Sequence, residues 1–223
     1  MKKKLVALIA LAGLGGVGAV AAVYVVPHLG SDYVPADLVT RVVGQPVPDF
    51  TLADSNGRSV SLSQFRGRTV VLEWNNPECP FSQKHYGSGN MQWTQAAATR
   101  EGVVWLTINS GAPGNQGHMD GAETNAFLAS SGASPTAYLL DPRGEVGRAY
   151  GAMTTPHMYV INGEGTLVYA GAIDDRPTAD PDDVEGARNH VLAALAELKV
   201  GRPVSVPSSR PYGCNVKYAE AEA

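Results

Sequence analysis

Residues 70–82, Val-Val-Leu-Glu-Trp-Asn-Asn-Pro-Glu-Cys-Pro-Phe-Ser, narrow the possible folds more than any other stretch of this chain. A run with the look of a buried strand passes into a short polar loop, and a Cys-Pro dipeptide then opens a helix. Proline suits a first helical position because the backbone needs no hydrogen-bond donor there. Cys79 is thereby expected at the positive end of a helix, where free N–H groups and the helix dipole stabilise a thiolate. An accessible thiolate is a nucleophile. The plainer alternative is a core cysteine acting as a small hydrophobe, but its flanks are polar and proline-containing.

Strands and helices alternate through the rest of the chain. Period-2 patterns or short apolar runs predict strands at Ser59–Leu62, Thr69–Trp74, Val103–Ile108, Ala137–Leu140, His157–Ile161 and Thr166–Ala170. One helix is predicted from Pro80 to about Arg100, broken near Gly87-Ser88-Gly89-Asn90. A second starts at a capping box, Asp120 to Glu123, and continues through Phe127 and Leu128. A third is predicted from Asp180-Pro181-Asp182-Asp183, with Val184, Ala187, Val191, Leu195 and Leu198 on one face and Gly201 and Pro203 as its stop. A tight turn at Asn162–Gly165 joins the last two strands. This order predicts an α/β domain with a central mixed β-sheet flanked by helices on both faces.

With 44% apolar and 17% charged residues the chain can bury a core. Its net charge is −4, and three of its cations are Lys2, Lys3 and Lys4. No basic patch remains to hold a phosphate backbone, which argues against nucleic acid as a partner. Two cysteines are too few for a disulfide-scaffolded miniprotein or a four-cysteine zinc site, and enough for one redox pair.

Lys2–Lys4 precede an uncharged run from Leu5 to Val26. The pattern is that of an apolar export segment. Ala19-Val20-Ala21 offers small residues for a signal peptidase, whereas the apolar run through Tyr24-Val25-Val26 is long enough to remain as a membrane anchor helix. Residues 1–26 are therefore a signal peptide or an anchor, and either places the rest outside the cytoplasm. Residues 27–43 follow as a stalk, 44–200 as the folded domain, and 201–223 as a Pro/Ser-rich tail that contains Cys214.

A second motif, Thr154-Thr155-Pro156-His157, opens the strand HMYVI. Proline is tolerated at a strand's first residue, and an X-Pro bond is where a cis peptide becomes accessible. With the Cys79-Pro80 junction, and with VGQPVPDFTLADSNGRSVSLSQFRGRTVVLEW and DPRGEVGRAYGAMTTPHMYVINGEGTLVYAGAID, the chain resembles the thioredoxin-like superfamily. The resemblance is to its redoxin branch, the alkyl hydroperoxide reductase and thiol-specific antioxidant family with its disulfide-reductase relatives, and it covers about residues 43–198. It implies a thioredoxin-like fold, a cis-proline loop facing Cys79, and a thiol oxidoreductase that needs no cofactor.

The resemblance assigns roles residue by residue. Cys79 is the attacking thiolate, and Pro80, Ser82, Thr155, Pro156 and His157 are the positions expected to face substrate. Glu73, six residues before the cysteine, matches a buried acid that relays protons, a role a raised pKa would suit; an edge carboxylate is the alternative. Disulfide reductases of the superfamily carry Cys-x-x-Cys, whereas Ser82 holds the second position here. Peroxidases carry Pro-x-x-x-Thr-x-x-Cys, whereas Leu72 and Asn76 stand at the proline and threonine positions. Asn76 is then the candidate donor to a peroxide, with Arg143 or Arg148 as the family's arginine. Cys214 can resolve the oxidised Cys79, within the chain or across an oligomer, or form a static bridge with it.

The leading expectation is an exported peroxiredoxin-like enzyme that reduces hydroperoxides and is restored by an external thiol reductant. The alternative is a monothiol oxidoreductase acting on protein disulfides. A third reading is a non-catalytic or copper-binding module. Cys79 with His85 and His157 would suit a soft metal, but the loop lacks the cysteine pair of copper-binding relatives, and no metal is assigned. The loop Gly111–Gly117 lacks a P-loop ending and is expected as a lip over the site.

Overall fold

The computed structural model describes residues 43–220. The export segment at 1–26 and all but the last residue of the stalk lie outside them. In chain order the elements are β1 (Thr51–Asp54), β2 (Ser59–Ser61), β3 (Val70–Trp74), α1 (Pro80–Gly87), α2 (Asn90–Arg100), β4 (Val104–Asn109), α3 (Gly121–Ser131) and β5 (Ala137–Leu140). There follow α4 (Glu145–Ala149), β6 (Thr154–Thr155), β7 (His157–Ile161), β8 (Leu167–Gly171), α5 (His190–Lys199) and β9 (Cys214–Asn215). Seven strands make one sheet in the order β2-β1-β5-β4-β3-β7-β8, while β6 and β9 pair separately. β3, β4 and β5 are parallel; β7 runs antiparallel to β3, β8 to β7, and β1 to β5. This is the mixed sheet with flanking helices that the alternation predicts.

β3 is buried along its whole length, which is why it reads as an unbroken apolar run. Leu72 and Trp74 enter one core with Leu106, Ile108 and Tyr159. Val71 enters the other, with Met91 of α2, Trp105, Met158 and Val191 of α5. The central strand is thus held from both faces, and its carboxyl end delivers the loop that carries Cys79.

The capping box forms as expected: Glu123 N–H donates to Asp120 Oδ1 and Asp120 N–H to Glu123 Oε2, each at 2.8 Å. The last helix starts later than the sequence suggests. Asp180-Pro181 opens only a single 3-10 turn, Pro181–Val184. Gly186, at φ +74°, breaks the chain direction, and Asn189 then supplies a second cap by accepting Leu192 N–H at 3.0 Å. Val184 and Ala187 therefore precede α5, whose face buries Val191 and Ala194. The strands β1, β6 and β9 and the short helix α4 are additional to those predicted.

The tail runs back over the domain as a strap. Ala170 of β8 exchanges backbone hydrogen bonds with Pro207 and Ser209. β9 then pairs antiparallel with β6, setting Cys214 opposite Thr155. Beyond it Val216 N–H donates to the Met153 carbonyl, and Lys217 O accepts Ala112 N–H. Tyr218 closes the strap by donating to Ala152 O at 2.7 Å.

Candidate active site

After β3 the loop turns on Asn76. Its side-chain oxygen accepts Glu78 N–H at 2.8 Å, and its carbonyl accepts Cys79 N–H at 3.1 Å. The Asn76 amide donates to Gln116 O, so the glycine-rich loop lies against this turn as a lip. Cys79 is the N-cap of α1 and Pro80 its first residue, as the Cys-Pro junction requires. Cys79 is fully buried. As a thiol it donates to the Thr155 carbonyl oxygen, 3.0 Å away, and Thr155–Pro156 is a cis peptide. From β9, paired beside Thr155, the Cys214 N–H points at Cys79 Sγ across 3.4 Å. Cys214 is half-buried, and both cysteines are free thiols.

The two sulfurs have opposite acidities. Burial works to raise the Cys79 pKa, but hydrogen bonds from the Cys214 thiol, the Thr155 side chain and the backbone N–H groups of Ser82 and Cys214 together bring it below the usual thiol value. Cys214 is pushed up to about 11 by burial, by its hydrogen bond to Cys79 and by repulsion from that thiolate. Of the two sulfurs Cys79, at the start of α1, is therefore the one that loses its proton more readily.

The strap is fixed on both sides of Cys214. Two residues before it, the Tyr212 hydroxyl donates to Asp174 and lies 3.1 Å from His85 Nε2. Lys84 Nζ stands 3.5 Å from Asp174 Oδ2 and donates to Arg176 O at 2.6 Å. Asp174, His85 and Lys84 are all buried. Burial brings His85 down to about 4 against the attraction of Asp174, so it is neutral at pH 7 and Lys84 supplies the countercharge. On the far side Arg148 stacks over Tyr218 at 4.7 Å and donates to Ala219 O at 2.7 Å. Lys84, Asp174 and Tyr212 carry no sequence signal, since they lie far apart in the chain and share no motif.

Of the predicted site residues, Cys79, Pro80, Thr155, Pro156 and Cys214 meet at one point, and Ser82 adds its N–H. The Ser82 hydroxyl is buried without a hydrogen-bond partner. His157 packs its ring on Tyr159 at 4.6 Å, with Nδ1 3.3 Å from Met153 N–H. The arginine candidates are engaged elsewhere: Arg143 pairs with Glu145 at 2.8 Å on the surface, and Arg148 binds the strap. His85 and His157 serve separate networks, and among the described residues no group of three or more His, Cys, Asp or Glu is placed to hold a metal ion.

Glu73 is no edge carboxylate. It is fully buried and accepts four hydrogen bonds: from Tyr86 Oη (2.7 Å) on Oε1, and from Trp105 Nε1 (2.8 Å), Thr107 Oγ1 (3.0 Å) and Gln95 Nε2 (3.2 Å) on Oε2. Neither thiol is among these partners. Burial raises its pKa despite the four donors. A carboxyl with a raised folded-state pKa binds more proton folded than unfolded, so stability falls as pH rises from the unfolded value, about 4.3, through the folded one. Glu73→Gln is expected to flatten that slope, read as denaturation midpoint against pH. An unchanged slope would assign the pH dependence to other groups.

A sequence model of the AhpC/TSA family matches residues 43–170. The chain belongs to the AhpC/TSA family. Among curated relatives, the thiol-disulfide oxidoreductase ResA of Bacillus subtilis is 26% identical over 132 residues, covering 56% of this chain and 64% of ResA. The chain spans about three fifths of the length of the curated relatives it matches. An uncharacterized conserved protein from Geobacillus kaustophilus aligns at TM-score 0.68 and 25% identity, over 81% of this chain and 94% of that one. A chain from Chlorobium tepidum assigned as thiol:disulfide interchange protein DsbE aligns at TM-score 0.51 and 28% identity, over 69% and 98%. The thioredoxin-like fold is thereby shown. The AhpC/TSA match ends in β8, so the strap and Cys214 lie beyond it.

Proposed function

We propose that the chain is a thiol-disulfide oxidoreductase whose redox couple is Cys79 with Cys214. The observation that carries this reading is the approach of the Cys214 N–H to within 3.4 Å of Cys79 Sγ, with both cysteines free. Ser82 leaves the Cys-x-x-Cys motif without its second thiol, and the strap supplies one from 135 residues away. The names of the relatives support disulfide exchange over the peroxide reduction first expected. So does the site: the Asn76 amide is engaged by Gln116, and both arginine candidates are bound elsewhere. The substrate class is then a protein disulfide or dithiol, with an external thiol or disulfide as the second partner. Lys2–Lys4 and the uncharged run from Leu5 to Val26 support a site of action outside the cytoplasm, exported or anchored.

Equilibration of the full chain in glutathione buffers of graded ratio tests this. The expected result is one two-electron transition, with loss of two hydrogens and a peptide linking Cys79 to Cys214. Cys214→Ser is expected to abolish the link and leave Cys79 as a mixed disulfide or thiol. If both thiols persist across the whole series while peroxide oxidises Cys79 within seconds, the peroxidase reading replaces this one.

A further inference from the structure

Chain order suggests Cys79 as the sulfur that meets the substrate, and the structure reverses that order. Cys79 is fully buried, while Cys214, on the strap, is half-buried. The strap is not a loose flap. Tyr212 is bonded to Asp174 and His85 before Cys214, β9 is paired with β6, and Tyr218 is bonded to Ala152 O beyond it.

Thiolate attack on a disulfide is collinear: the nucleophile approaches one sulfur along the S–S axis and the other sulfur leaves on the far side. Attack on Cys79 would have to come from the side opposite Cys214. Cys79 has no exposed surface, with the Thr155 carbonyl oxygen 3.0 Å and the Cys214 N–H nitrogen 3.4 Å from its Sγ, so no such line of approach is open. Cys214 is only half-buried, so an incoming thiolate can reach it.

We propose that Cys214 is the exchanging sulfur of this enzyme and Cys79 its buried leaving group, an inference that rests on the thiol-disulfide reading above. In the oxidised protein a partner's thiolate attacks Cys214 Sγ. The partner S–Cys214 bond forms, the Cys79–Cys214 bond breaks, and Cys79 departs with the electron pair as a thiolate. The partner's second thiolate then attacks its own sulfur in the mixed disulfide and releases Cys214, which takes up a proton. The partner is oxidised to a disulfide and the pair is reduced by two electrons. A more oxidising protein disulfide regenerates the pair by the same steps in reverse. The donors around Cys79 Sγ suit it to leave, because a better-stabilised thiolate departs faster.

The test uses the full wild-type chain, oxidised with glutathione disulfide and freed of excess. It is mixed with reduced glutathione, quenched in acid at times from milliseconds to seconds, blocked and peptide-mapped. The expected result is that the earliest adduct carries glutathione on Cys214 in an excess of about tenfold or more over Cys79. An earliest adduct on Cys79, or equal adducts on both, overturns the assignment of Cys214 while leaving thiol-disulfide exchange intact. A Cys79–Cys214 bridge that never forms, or that resists glutathione at every time point, overturns the exchange reading and this inference with it.

Discussion

Replacing Glu73 by alanine is expected to lower the free energy of unfolding by about 4 kcal/mol or more. The carboxylate is the common acceptor for Tyr86 of α1, Gln95 of α2 and both Trp105 and Thr107 of β4. Alanine leaves four donors in a site closed to water, and each unsatisfied buried donor costs about 1–3 kcal/mol. The four do not add fully, since side chains relax and a water can enter. A loss of that size is still a large share of the roughly 5–15 kcal/mol that holds a domain together. Glu73→Gln keeps the shape and one acceptor, so its loss is expected to be smaller. Denaturant midpoints at constant m-value measure both. A loss under about 1 kcal/mol for the alanine variant would show that the cage contributes little to holding α1 on the sheet.

Gly213→Ala is expected to release the strap while leaving the buried residues of the two cores in place. Gly213 has φ +140°, and a Cβ there would stand 2.0 Å from the Thr155 carbonyl oxygen. The obstacle is backbone of β6, which cannot turn aside as a flexible side chain would. Strain of about 3 kcal/mol at such a position shifts the balance between seated and lifted strap by about 100-fold. The reduced variant is expected to show Cys79 alkylated by iodoacetamide faster by that order, and a matching fall in Cys79–Cys214 bridge formation. The midpoint of global unfolding is expected to move much less, because the strap adds only partly buried side chains, among them Tyr212 and Val216, to the edges of the two apolar cores. Unchanged alkylation would mean that the strap is not what covers Cys79.

The readable parts of this chain are those in which one local cause acts alone. The run Val70–Trp74 reads as a buried strand because both faces are covered, and the Cys79-Pro80 and Asp120–Glu123 junctions follow from helix-end chemistry. The beginning of α5 departs from the sequence expectation because two N-cap sequences, at Asp180 and Asn189, follow each other and only the second leads into a full helix. β6 and β9 are two residues each, too short for any period to show. The strap has no pattern of its own, since tyrosine side chains and carbonyls of distant elements hold it. Cys214 was identifiable only by count, as the other cysteine. Nothing local marks Tyr212, Asp174 or Lys84 as the anchor of its position, because that anchor exists only once residues 84, 174 and 212 have been folded together.

The order of synthesis adds a consequence to the strap. The 135 residues added after Cys79, up to and including Cys214, take a ribosome roughly 7–27 s at about 5–20 residues per second. Throughout that interval Cys79 exists and its cover does not, so a small disulfide nearby can capture it, releasing its other half as a thiolate, before its own partner is made. A proteolytic cut near residue 205 would make that condition permanent, leaving the part of the chain matched by the family intact and its thiolate bare.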